Sequence, residues 1–122
     1  MPDVPFSQID HVQLAIPAGG EDQARAFYRD LLGMVELIKP EQLAKRGGCW
    51  FASGTVQIHL GIEEAFQPAR KAHPAFRCHD YEALINSLQQ NGVNVVPDAT
   101  IPGTTRCYIH DPFGNRIELI AE

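Results

Sequence analysis

Cysteine is scarce in this chain, long apolar runs are missing, and basic residues never cluster. Cys49, Cys78 and Cys107 stand alone, odd in number and without Cys-x-x-Cys spacing. They give no disulfide framework and read as reduced, partly buried thiols. No neighbour supports any of them as a nucleophile. No apolar stretch approaches the roughly 20 residues of a membrane span. With a formal net charge of −5 and no basic run to neutralise phosphates, nucleic acid is excluded as a partner. Met1-Pro2-Asp3-Val4-Pro5 has neither the basic nor the apolar segment of a signal peptide, so a cytoplasmic location is expected.

What is present is ordinary globular composition: 122 residues, 44% hydrophobic and 20% charged. That is enough for one domain with a core of its own. Residues 9–16, Ile-Asp-His-Val-Gln-Leu-Ala-Ile, alternate as a half-buried strand. A helix follows from Glu21, with Ala24, Phe27, Tyr28, Leu31 and Leu32 at helical spacing and Gly33 as its stop. Strands are predicted at 34–38, 49–52 and 55–62, with a polar, lid-like connection over 39–48. After a linker the order starts again. A strand over 73–79 precedes a helix capped by Asp80 and stopped by Gly92, then a strand over 93–96. The chain ends on a hairpin, residues 106–120, whose turn is Asp111-Pro112-Phe113-Gly114-Asn115.

Both halves therefore read β-α-β-β-β. Residues 7–62 form one module, 63–72 the linker and 73–122 the second, all within a single domain. Internal repetition of this length indicates two copies of one unit covering each other. The fold expected is α+β, two βαβββ modules forming a curved, cleft-containing mixed sheet with helices outside. Strand parity places Val12, Leu14 and Ile16 under a helix and leaves His11 and Gln13 for the cleft. The same parity turns His59 inward with Gln57, while Ile58 and Leu60 pack outward. His73 and Arg77 share one side of their strand; Arg116 and Glu118 share one side of the last strand.

His11, His59, His73 and Glu118 thus occupy first and last strands of the two halves. Histidine nitrogen and carboxylate oxygen suit a borderline divalent ion, and two His with one carboxylate leave positions for substrate oxygens. A carboxylate inside a strand, between Ile117 and Leu119, needs a partner. The residues alone leave two accounts level. Either a metal sits on Glu118, or Arg116, Arg106 or Arg77 neutralises it and the histidines belong to the core.

Ile9-Asp10-His11-Val12, Phe27-Tyr28 with Leu32-Gly33-Met34, His73-Pro74-Ala75-Phe76 and Asp111-Pro112-Phe113-Gly114-Asn115-Arg116-Ile117-Glu118-Leu119 resemble the vicinal oxygen chelate superfamily. That group includes glyoxalase I, extradiol dioxygenases, fosfomycin-resistance transferases and bleomycin-resistance proteins. The resemblance spans almost the whole chain. It implies paired βαβββ modules and a homodimer, with modules pairing within or across chains. It also implies a divalent ion (Fe, Zn, Ni, Mn or Co) that chelates two neighbouring oxygens of a small-molecule substrate. His11, His73 and Glu118 fall on ligand positions; His59 stands where glyoxalase I carries Glu, as fourth ligand or catalytic base. Gln13 departs from the arginine of a glutathione-type glyoxalase and from the threonine of a fosfomycin enzyme. Gln13, Trp50, Arg77, Arg106 and Tyr108 are candidate substrate contacts. The function expected is a metal-dependent lyase, isomerase or dioxygenase. The alternative is a metal-free, ligand-sequestering protein of the bleomycin-resistance type.

Overall fold

The computed structural model describes residues 3–122. Module one runs β1 (Val12–Ile16), α1 (Glu21–Ala24) continuing as a π-helical segment (Arg25–Leu31), β2 (Val35–Leu37), α2 (Glu41–Ala44), β3 (Cys49–Ser53) and β4 (Val56–Ile62). Module two runs β5 (Ala75–Cys78), α3 (Tyr81–Gln90), β6 (Val96–Pro97), β7 (Arg106–His110) and β8 (Arg116–Ala121). Each module contributes one sheet of four strands, ordered β1-β4-β3-β2 and β5-β8-β7-β6. In each, the first strand pairs parallel with the last and the others pair antiparallel. A parallel pair needs a crossover, which the helix between first and second strands supplies. The expected α+β architecture of two βαβββ modules is therefore present, as two sheets that do not close on each other.

The helix of module one widens because Leu32 N–H donates to the Phe27 carbonyl (2.9 Å), five residues back. This lets the consecutive Phe27 and Tyr28 both bury, edge to face at 5.0 Å. The helix of module two is regular. Asp80 accepts from Ala83 N–H (3.2 Å) to cap its start, and Leu88 is fully buried on its inner side.

One apolar cluster joins the modules: Ile16, Phe27, Tyr28, Phe51, Ile58 and Leu60 from the first, Leu88, Ile109, Ile117 and Leu119 from the second. Polar contacts fix the joint. The Tyr28 hydroxyl donates to Asp111 (2.6 Å), and Asn115 Nδ2 donates to the Ala15 carbonyl (2.9 Å) and to Asp111 (2.9 Å). Burial and the Asp111 carboxylate hold the Tyr28 phenol far above its ordinary pKa. The other Asp111 oxygen accepts from Phe113 and Asn115 N–H, both at 2.9 Å. Gly114 takes the left-handed corner at φ +92°. The Asp-Pro-Phe-Gly-Asn turn thus both reverses the chain and pins module two to module one.

The polar connection over 39–48 is ordered and tied at both ends. It contains α2, Lys39 Nζ donates to the Gly47 carbonyl, and Gly48 N–H donates to Glu21 (3.0 Å). Among the described residues no helix is long and apolar enough to cross a membrane.

Candidate functional site

His11 and His73 precede β1 and β5 by one and two residues, so both project from the sheet edge rather than from within a ladder. His59 and Glu118 lie inside β4 and β8, the strands that neighbour those edges. Parity works as expected in β4: Ile58 and Leu60 are buried in the core while His59 turns to the opposite face.

In module one three rings form a column. His59 stacks on Trp50 (4.1 Å, 9°) and His11 stacks on His59 (3.9 Å, 11°). Trp50 and His59 are cross-strand partners, which brings the rings face to face. Gln57 Oε1 accepts from His59 Nε2 (3.1 Å), so the lone pair of a neutral His59 is on Nδ1. Burial first, then the adjacent His11, pushes the His59 pKa down. Gln13 lies over Gly61, where a Cβ would come within 2.5 Å of its Nε2.

In module two the carboxylate of Glu118 is divided between two partners. Oε1 meets His73 Nε2 at 2.9 Å, and Oε2 accepts from Arg106 Nη1 at 3.0 Å. His73 first, then Arg106, holds this carboxyl below the usual carboxylate range. Tyr108, the cross-strand partner of Glu118, meets the His73 ring edge-on at 5.4 Å. The guanidiniums of Arg106 and Arg116 lie 5.5 and 5.2 Å from the Tyr108 ring centre.

The tautomers fit a metal. His11 Nδ1 meets the Asp10 carboxylate at 2.9 Å and His73 Nδ1 meets the Lys71 carbonyl at 2.6 Å. Neither oxygen can donate, so both Nδ1 atoms carry the proton and both Nε2 atoms are left as donors to a metal. This is how ligating histidines are held: the far nitrogen donates to a carboxylate or carbonyl. His73 Nε2 then faces Glu118 Oε1 across 2.9 Å, a contact that requires a second proton or a cation. The chemistry of the donor set suits a divalent ion.

Within one chain the set is divided. Among the described residues, no three of His, Cys, Asp or Glu group closely enough to hold a metal. His11 with His59 makes one half, His73 with Glu118 the other. Both edge histidines border a cavity of about 750 Å³ that runs between β1, the 63–72 segment and the start of β5.

The Glyoxalase/Bleomycin resistance protein/Dioxygenase superfamily matches residues 8–119. The chain belongs to this superfamily. A crystal structure of a glyoxalase family protein from Bacillus anthracis is 47% identical, covers 100% of this chain and 99% of its own, and superposes with a TM-score of 0.95. Glyoxylase I 4 of Arabidopsis thaliana is 26% identical over 93% of this chain and 70% of its own length. TnmS3, an antibiotic binding protein from Streptomyces sp. CB03234, shares the fold at 22% identity with a TM-score of 0.74, covering 98% of each chain. A glyoxalase-type name and an antibiotic binder occur on this one architecture, so the site must decide the function.

For this superfamily member, several expected contacts cluster and one does not. Trp50 and Gln13 flank the first half-site; Arg106 and Tyr108 flank the second. Arg77 is exposed, and Glu118 takes Arg106 as its arginine. His79 and His110 are exposed at strand ends. Asp10, Lys71 and Gln57, which set the histidine tautomers, were not singled out as functional. Asp10 carried a signal, an acid directly preceding a ligand-type histidine; the Lys71 carbonyl carried none, because backbone groups leave no mark in sequence.

Proposed function

We propose that this chain is the subunit of a homodimeric, metal-dependent enzyme acting on a small substrate with two neighbouring oxygens. His11, His73 and Glu118 hold a divalent ion of the Fe, Zn, Ni, Mn or Co type. One observation carries the reading: both edge histidines tie Nδ1 to an oxygen acceptor and leave Nε2 as the ligating nitrogen, that of His73 directed at the Glu118 carboxylate. When bound, such an ion supplies Lewis-acid stabilisation of an enolate or oxyanion.

The protein's own groups have distinct tasks. His59 is stacked on His11 and its Nε2 is committed to Gln57, which leaves the Nδ1 lone pair to take a proton. His59 would therefore serve as the acid–base residue. Its depressed pKa keeps it neutral and able to accept a proton. Trp50 forms the wall behind it. Tyr108 and Arg116 border the second half and suit an anionic part of the substrate. Because the donor set is split between halves, the site is completed across the dimer, His11 of one subunit joining His73 and Glu118 of the next. Lyase, isomerase and dioxygenase chemistry are the reaction types open to such a site.

The deciding experiment is metal analysis of tag-free protein beside His11→Ala, His73→Ala and Glu118→Ala variants. The proposal expects about one ion per chain in the parent and loss in all three variants. No uptake after reconstitution with Fe, Mn, Ni, Co and Zn would sink it. A second reading has one observation in its favour: Arg106 already neutralises Glu118, as in a metal-free binding cleft. A binder of that kind keeps its ligand affinity after exhaustive chelation.

A further inference from the structure

Arg106 is a buried cation held by four side chains. It is 9% exposed. Nη1 donates to Glu118 Oε2 (3.0 Å) and to the Tyr108 hydroxyl (2.8 Å). Nη2 donates to Thr100 Oγ1 (2.9 Å) and faces Asp98 Oδ1 at 3.2 Å. Asp98 is in turn fixed by the Thr100 hydroxyl (2.6 Å) and the Thr100 N–H (2.9 Å). The loop after β6 therefore anchors the guanidinium from behind while β7 presents it to β8. Nε is buried without an acceptor, so the group is not placed for its own fullest hydrogen bonding.

We infer that Arg106 is a positioning residue that makes Glu118 a one-oxygen metal ligand. This rests on the metal reading above. A free carboxylate can bind an ion through one oxygen or both. Here Oε2 is committed to Arg106 in a charge-assisted hydrogen bond, and only Oε1 faces His73 Nε2. With Oε2 withheld, the position it would occupy stays open for the second oxygen of a chelating substrate. Asp98 at 3.2 Å, together with Glu118 itself, offsets positive charge that Arg106 would otherwise direct at an incoming ion, so orientation outweighs repulsion. The loop contacts through Thr100 and Asp98 are what keep the guanidinium from swinging away.

The test compares cobalt(II) binding to the intact dimeric protein and to Arg106→Met, Arg106→Lys and Thr100→Val variants. Affinity is read by competition with a chelator, and carboxylate coordination by metal-minus-metal-free difference infrared spectra. Arg106→Met is expected to bind cobalt about 10- to 100-fold more weakly, as for other groups that orient ligands. The splitting between antisymmetric and symmetric carboxylate bands should narrow as Glu118 takes up two-oxygen binding. Arg106→Lys should show the same narrowing, since an ammonium lacks the fork that reaches Tyr108, Thr100 and Glu118 together. Thr100→Val loses one anchor and should weaken binding roughly threefold in the same direction, and it serves if Arg106→Met does not fold. Unchanged affinity and unchanged splitting in folded variants would overturn the inference while leaving the metal reading intact. Absence of cobalt binding in the parent protein would overturn both.

Discussion

At the residue scale, the tautomers decide what the cleft can do. A histidine with both nitrogens free is ambiguous; here Asp10 and the Lys71 carbonyl remove the ambiguity for His11 and His73. Gln57 sets His59 the other way round. The stack behind His59 can be read directly, because Trp50 is the single tryptophan. Its emission should shift to longer wavelength in His59→Ala, as removing a ring 4.1 Å away opens the indole to water. No shift would mean that the column does not form in solution. Tyr28 tests the joint between modules. Tyr28→Phe strands Asp111 with one partner fewer in a buried position and should cost about 1–3 kcal/mol in urea denaturation. A loss within error would make that contact incidental.

At the element scale, much of the chain was legible and the exceptions have physical causes. Strand alternation identified β1, β4 and β8 because one face of each packs on the core and the other does not. Asp80 and Gly92 bracketed α3 because a cap and a left-handed stop are local chemistry. The π-helical turn was not legible: Phe27 and Tyr28 fit an ordinary helical stripe, and only tertiary packing requires both to bury. α2 was missed because four residues carry no periodicity. The choice of Arg106 over Arg77 and Arg116 as partner of Glu118 depends on where the 98–100 loop returns, which no local pattern encodes. The hairpin turn tests how tightly sequence sets geometry. Gly114→Ala places a side chain at φ +92° and 3.2 Å from Pro68, and should cost about 1 kcal/mol or more by thermal or urea unfolding. A neutral outcome would show that the turn relaxes freely.

At the scale of the whole molecule, the repeat divides the proposed site into halves. Each module carries a histidine at its leading edge and a second polar group inside its last strand, and one chain keeps the two pairs apart. Duplication explains why the proposed ligand set stands at matching positions, and why its assembly cannot be read there: pairing within or across chains leaves the same pattern in sequence. Shared sites make a sharp prediction for mixtures. His11→Ala and Glu118→Ala subunits, each unable to bind alone, should regain about a quarter of the parent metal capacity after random reassociation, since half the dimers carry one intact site. No recovery in mixed dimers would place each site within one chain.

Metal content by mass spectrometry of tag-free protein after reconstitution, with Glu118→Ala alongside, decides whether the cleft holds an ion. Close to one divalent ion per chain is expected in the parent and none retained in Glu118→Ala. An equal and low content in both would contradict the metal reading and assign the cleft to metal-free binding.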